Sequence, residues 1–139
     1  MKRDGHTFST ALACALSLLV ATVSAHAHHS AAAFDIATVV KIEGTIKQFR
    51  WINPHASIKI EGDASGDHPD GLWTVEMTAP NVLINEGWKR DSLQPGDKVT
   101  IFVNPLHHPV AMNDGSSGGL FVGVILKDGS TLGRVAGKK

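Results

Sequence analysis

Histidines stand in this chain where a metal ion could take them. Residues 23–29 read Val23-Ser24-Ala25-His26-Ala27-His28-His29, and further imidazoles follow at His55, His68, His107 and His108. Imidazole nitrogens ligate copper, nickel and zinc. A cut after Ala27 would open the chain with His28-His29-Ser30, so that one residue carries both a free α-amine and an imidazole. That pair chelates a divalent ion through a small ring. A cut after Ala25 gives His26-Ala27-His28-His29 and the same property. An amine with two or three imidazoles supplies the nitrogen-rich, tetragonal field that copper(II) favours, and Met77 and Met112 are available as softer donors to copper(I). Zinc would accept the histidines too, but structural zinc sites want four firm ligands, often cysteine. The plain alternative is that histidine is merely tolerated after a cleavage site.

The cut itself is read from the sequence. Lys2 and Arg3 form a positive start, an uncharged apolar run extends from Ala11 to Val23, and two small-x-small sites come next, Val23-Ser24-Ala25 and Ala25-His26-Ala27. This is the pattern of a secretory signal peptide over residues 1–27, leaving residues 28–139 as one periplasmic or secreted domain. A domain of that size buries roughly two-thirds of its unfolded surface without staples. The apolar run is too short to span a bilayer, and no later stretch approaches ~18 uninterrupted apolar residues. The lone cysteine, Cys14, lies in the signal, so the remainder has neither disulfide nor thiolate chemistry. Removing Lys2, Arg3 and Asp4 from 13 basic and 13 acidic residues leaves a formal charge of −1. No basic stripe exists, which argues against nucleic acid. The expected partners are a metal ion and an exported protein.

Other chemistry finds little support. The serines lack a G-x-S-x-G context, and the spacing of Asp35, Glu43 and Glu76 puts no two carboxylates on one site. Gly115-Ser116-Ser117-Gly118-Gly119 is followed by no helix whose dipole could help hold an anion, and reads as a flexible loop. Trp51, Trp73 and Trp88 read as packing residues, with an aromatic platform for a sugar as the functional alternative. An N-terminal histidine brace would also suit an oxidising enzyme. So small a barrel offers little substrate surface, however, and a carrier is expected instead.

The elements that must position these residues are strands. Val40, Ile42, Gly44 and Ile46 alternate with Lys41, Glu43, Thr45 and Lys47, and the phase breaks near Gln48, where a bulge is expected. Asn53-Pro54 marks a turn. Ala56, Ile58 and Ile60 point inward on a second strand, then Trp73, Val75 and Met77 on a third, which makes Met77 core filler. Pro80 opens a short helix that ends at Gly87. Val99, Ile101 and Val103 give a fourth strand, and the stretch Asn104 to Gly119 reads as a long loop. Leu120 to Leu126 is apolar on both faces, so a well-covered fifth strand is expected. Asp128-Gly129 signals a two-residue hairpin into Thr131–Val135. Three strands, a helix and two strands is the order of a small five-stranded OB-like barrel, with a β-sandwich as the alternative.

In order along the chain stand His28-His29-Ser30, Phe34-Asp35, Gly44-Thr45, Trp51-Ile52-Asn53-Pro54-His55, Trp73-Thr74-Val75-Glu76, Gly87-Trp88 and Leu93-Gln94-Pro95-Gly96-Asp97. Together these resemble a family of small exported bacterial proteins carried as a domain of unknown function. The resemblance implies an exported, all-β single domain and no established activity. His28, His29 and His55 match its pattern, whereas His107-His108 depart from it, the family having a charged, Gly-containing turn there.

In an OB barrel the loop joining strands one and two and the loop joining strands four and five are expected at one end, which would gather His55, His107 and His108. The N-terminal arm would have to meet either His55 or His68. The expectation is therefore an exported module holding copper through His28, His29, His55, His107 and His108. A non-catalytic barrel that binds a ligand or a protein, with incidental histidines, is the alternative.

Overall fold

The computed structural model describes residues 32–108 and 111–135, all within one compact unit. Alternation sets the strands. In β1 (Val40–Arg50), Val40, Ile42 and Ile46 are buried while Lys41, Glu43 and Lys47 face solvent. Its register against β2 (Ser57–Ala64) slips between Ile46 and Gln48, at the expected phase break. Gly44 sits opposite Gly62, and a Cβ on either would collide with the backbone of the other strand. Glycine here permits the close approach that a tightly coiled sheet requires.

Next come β3 (Gly71–Glu76), helix α1 (Pro80–Asn85), β4 (Lys98–Pro105), β5 (Ser117–Ile125) and β6 (Thr131–Gly133). The sheet runs β3-β2-β1-β4-β5-β6 and closes through a parallel pairing of β3 with β5, from Trp73↔Ser117 to Glu76↔Leu120. This is a closed five-strand barrel with β6 added outside the ring, and its helix lies between the third and fourth strands as the sequence predicts. The continuous closed sheet disposes of the β-sandwich. Its interior holds Ile42, Ile46, Ile58, Ile60, Trp73, Val75, Ile101 and Val103, each at most 2 % exposed.

The helix follows its capping residues. Pro80 occupies the first turn, and Gly87 (φ +89) reverses the chain so that Trp88 N–H donates to Leu83 O and Gly87 N–H to Ile84 O. This double bond is the Schellman closure, and its usual apolar pair is present in Leu83 and Trp88, both in the core. Met77 is core as expected. Among the described residues no helix is long and apolar enough to cross a membrane.

Three expectations change. The stretch Ser117–Gly119 is the start of β5, because Gly118 and Gly119 pack beneath Leu106 and Val103, where a Cβ would not fit. The Leu120 to Leu126 segment is less covered than its composition suggests. Gly123 and Val124 are buried, while its other residues are half-buried, Phe121 and Leu126 among them packing against the core. The final hairpin has a three-residue loop, with Leu126 N–H donating to Ser130 O around Gly129 (φ +81). Glycine in the left-handed region suits the bulged three-residue turn.

Candidate functional site

The start of β1 lies beside the end of β4, since Val40 pairs with Val103. The chain leading into β1 therefore meets the chain leaving β4. Phe34 bridges to Leu106 and is 4 % exposed; Asp35 N–H donates to Pro105 O at 2.8 Å, and His107 N–H donates to Ala33 O at 2.9 Å. A tight turn follows, in which the Asp35 carboxylate accepts from the Thr38 hydroxyl (2.6 Å) and the Ala37 N–H (3.1 Å). Aspartate favours such a turn because its side chain reaches the backbone two residues on. Buried Asn104 closes the junction, its Nδ2 donating to Thr38 O at 2.6 Å and to Ile36 O at 3.5 Å.

The β2–β3 loop comes to the same end. Lys41 and Ser65 exchange two hydrogen bonds, and Asp70 accepts from Ala64 N–H. The Trp73 indole donates to Pro69 O at 3.0 Å, with the His68 ring edge-on at 6.4 Å. The β4–β5 loop is latched from its far side. Lys59 pairs with Asp114, Asp114 accepts from the Ser116 hydroxyl and N–H, and the Ser116 and Thr74 hydroxyls share a bond of 2.8 Å.

These three segments surround a cleft of about 510 Å³. Asp35, Thr38, His68, His107 and Ala111 contribute to its wall, and Trp73, Leu106 and Gly118 supply apolar and backbone surface. Thr38 and then Ala37 hold the Asp35 carboxyl below its ordinary range against a smaller desolvation cost, and the nearby His107 adds a lesser pull in the same direction. The carboxylate is thus ionised and committed to its turn. Lys59, and after it Ser116, hold Asp114 far lower still.

The sequence expectation about which histidines share an end is overturned. β4 runs antiparallel to β1, so its C-terminal end adjoins the beginning of β1 and not the β1–β2 loop. His107 and His108 therefore lie at the His68 end. His55 is exposed beyond Arg50, roughly 30 Å along β1 at ~3.3 Å per residue. Both His107 and His108 are exposed, and of the two His107 lines the cleft. His28 and His29, like the proposed cleavage site, lie outside the described residues. Among the described residues no three His, Cys, Asp or Glu side chains converge as a metal-binding group. Trp51 packs edge-on against Phe49 at 5.6 Å, and Phe49, Trp88 and Phe121 continue as a row of ring contacts.

Sequence reading missed Asp35, Thr38 and Asn104 as builders of the site. The Asp35-x-x-Thr38 spacing was the available signal, since it fits a side-chain-closed turn. Nothing local to Asn104 marks it, because its partners lie 66 and 68 residues away.

The model of a family of unknown function (DUF6152) matches residues 15–120. No curated protein and no solved structure gives a match.

Proposed function

The chain belongs to this family of unknown function, and from its own residues we propose that it is an exported module that holds copper(II) at the cleft end of the barrel. Cleavage after Ala27 frees the amine of His28; that amine, the His28 and His29 imidazoles, and His107 and His68 form the donor set. The ion is buffered or handed to an exported partner.

One observation carries this reading. The backbone of Ala33 is tied to His107 and Phe34 is buried, so the arm is anchored beside the cleft. His28 is five peptide units ahead of Ala33, a reach of at most about 18 Å. That is ample for His107 and His68 and well short of the roughly 30 Å that separates this end from His55. His55 is accordingly left out of the donor set, and His108 stands as an outer candidate.

Copper(II) titration of the mature protein tests the idea. Adding one residue ahead of His28 moves the amine off the chelate ring while leaving every imidazole in place. Affinity is expected to fall by more than the roughly 10-fold typical of losing a supporting contact. His107→Ala and His68→Ala should weaken binding, and His55→Ala should leave it unchanged. An extended N-terminus that binds as tightly as the native one overturns the assignment. The apolar Trp73 and Leu106 surface then favours a cleft for a small organic ligand, with incidental histidines.

A further inference from the structure

The loop that carries His107 and His108 offers a donor of a different kind. Of the two methionines beyond the signal, Met77 is 3 % exposed and belongs to the core, so packing accounts for it. Met112 is 37 % exposed and takes no part in the core cluster. Its backbone is nonetheless held on both sides, with Met112 N–H donating to Ser116 O at 2.8 Å and Gly115 N–H donating to Met112 O at 2.7 Å. The Lys59–Asp114 pair and the Thr74–Ser116 bond fix the next turn of the loop to the barrel. Ala111, its chain neighbour, lines the cleft together with His107 and His68. Met112 is therefore a part-exposed thioether residue on an anchored backbone, one position along the chain from a residue that lines a cleft with two imidazoles.

Thioether sulfur is a soft donor that selects copper(I), whereas an amine and imidazoles suit copper(II). We infer that Met112 is a ligand for copper(I) at the cleft end, with His107 and one further imidazole completing a nitrogen–sulfur set. The two oxidation states then use overlapping donors, with the N-terminal amine serving copper(II) and Met112 serving copper(I). This inference rests on the copper reading above, and it identifies which form of the ion the module can carry. Binding alone is claimed, so no electron transfer by the protein is required.

The experiment is an anaerobic competition titration of the full mature protein with copper(I) against a chromophoric chelator, beside a copper(II) titration of the same samples. Met112→Leu keeps the size of an exposed side chain and leaves the fold intact, which circular dichroism would verify. Copper(I) affinity is expected to fall at least about 10-fold, the loss typical of a metal-site contact, and copper(II) affinity to stay within about twofold. X-ray absorption of the copper(I)-loaded wild type should show a sulfur neighbour that the variant lacks. Equal copper(I) affinity in the two proteins, or no copper(I) binding by the wild type, overturns the inference. Failure of the wild type to bind copper(II) would instead remove the amine-based reading, while the copper(I) comparison still decides the role of Met112.

Discussion

Asn104→Leu should loosen the root of the arm while sparing the barrel. The replaced amide is 5 % exposed, and its strong bond is the 2.6 Å donation to Thr38 O; the 3.5 Å approach to Ile36 O is at the limit of a hydrogen bond. Losing the bond costs about 1 kcal/mol, and leaving the half-buried Thr38 carbonyl without its partner raises this toward the ~1–3 kcal/mol of an unsatisfied group. The apolar surface of leucine offsets part of this. A net loss near 2 kcal/mol follows, which for a domain of this size lowers the melting temperature by about 8 °C. Circular dichroism melts would measure it, and urea denaturation should show a lower midpoint at unchanged slope. Asn104→Asp supplies the control. A carboxylate facing two carbonyls resists ionisation, so its folded pKa lies above the ~3.9 of the unfolded chain. The deficit is then full above that folded value and shrinks as pH falls through it, because the protonated acid can donate again. A melting shift below about 2 °C for Asn104→Leu, or a pH-independent deficit for Asn104→Asp, would refute the role given to this side chain.

Gly62→Ala should be among the worst single changes in the barrel. Its Cβ meets the backbone of Glu43 and Gly44, which cannot swing aside, so a loss of about 3 kcal/mol or failed expression is expected. Gly96→Ala meets no atom and carries only the strain of φ +94, a cost of about 1–2 kcal/mol by the same melts. In acid, Asp114 should report on its latch. Its folded pKa is depressed, chiefly by Lys59, so the stability it lends is present above the ordinary carboxylate range and lost as pH falls below it. Lys59→Met should therefore narrow the gap between melting temperatures at neutral pH and at pH 3. An unchanged gap would show that Ser116 suffices to hold the carboxylate.

Alternation made the barrel legible. Val40-Ile42-Ile46, Ile58-Ile60, Trp73-Val75 and Ile101-Val103 each announce one inward face, and Pro80 with Gly87 brackets the helix. The bulge near Gln48 was legible too, because a bulge shifts the period by one residue. What local patterning does not encode is direction. His107 and His55 could be placed at opposite ends only once β1 and β4 were seen to run antiparallel in the register Val40↔Val103. The glycines at 118 and 119 read as loop because their cause is a neighbour's side chain, Leu106 or Val103, far off in sequence. Asn104 was opaque for the same reason.

The barrel is shut by a parallel seam of four residue pairs, and that seam begins at the cleft, where Trp73 meets Ser117. Parallel ladders are slightly weaker per residue than antiparallel ones. This one also joins strands separated by the helix and all of β4, so its closure entropy is recovered only after the antiparallel ladders have formed. The amides of Trp73–Glu76 and Ser117–Leu120 that donate across this seam, and not those that face β2 or β4, should accordingly exchange with deuterium sooner than those of the β1–β4 ladder, in openings that leave the rest of the sheet paired. Anything bound in the cleft would hold the seam shut and slow that exchange by mass action. Protection of the seam amides thus becomes a label-free gauge of occupancy.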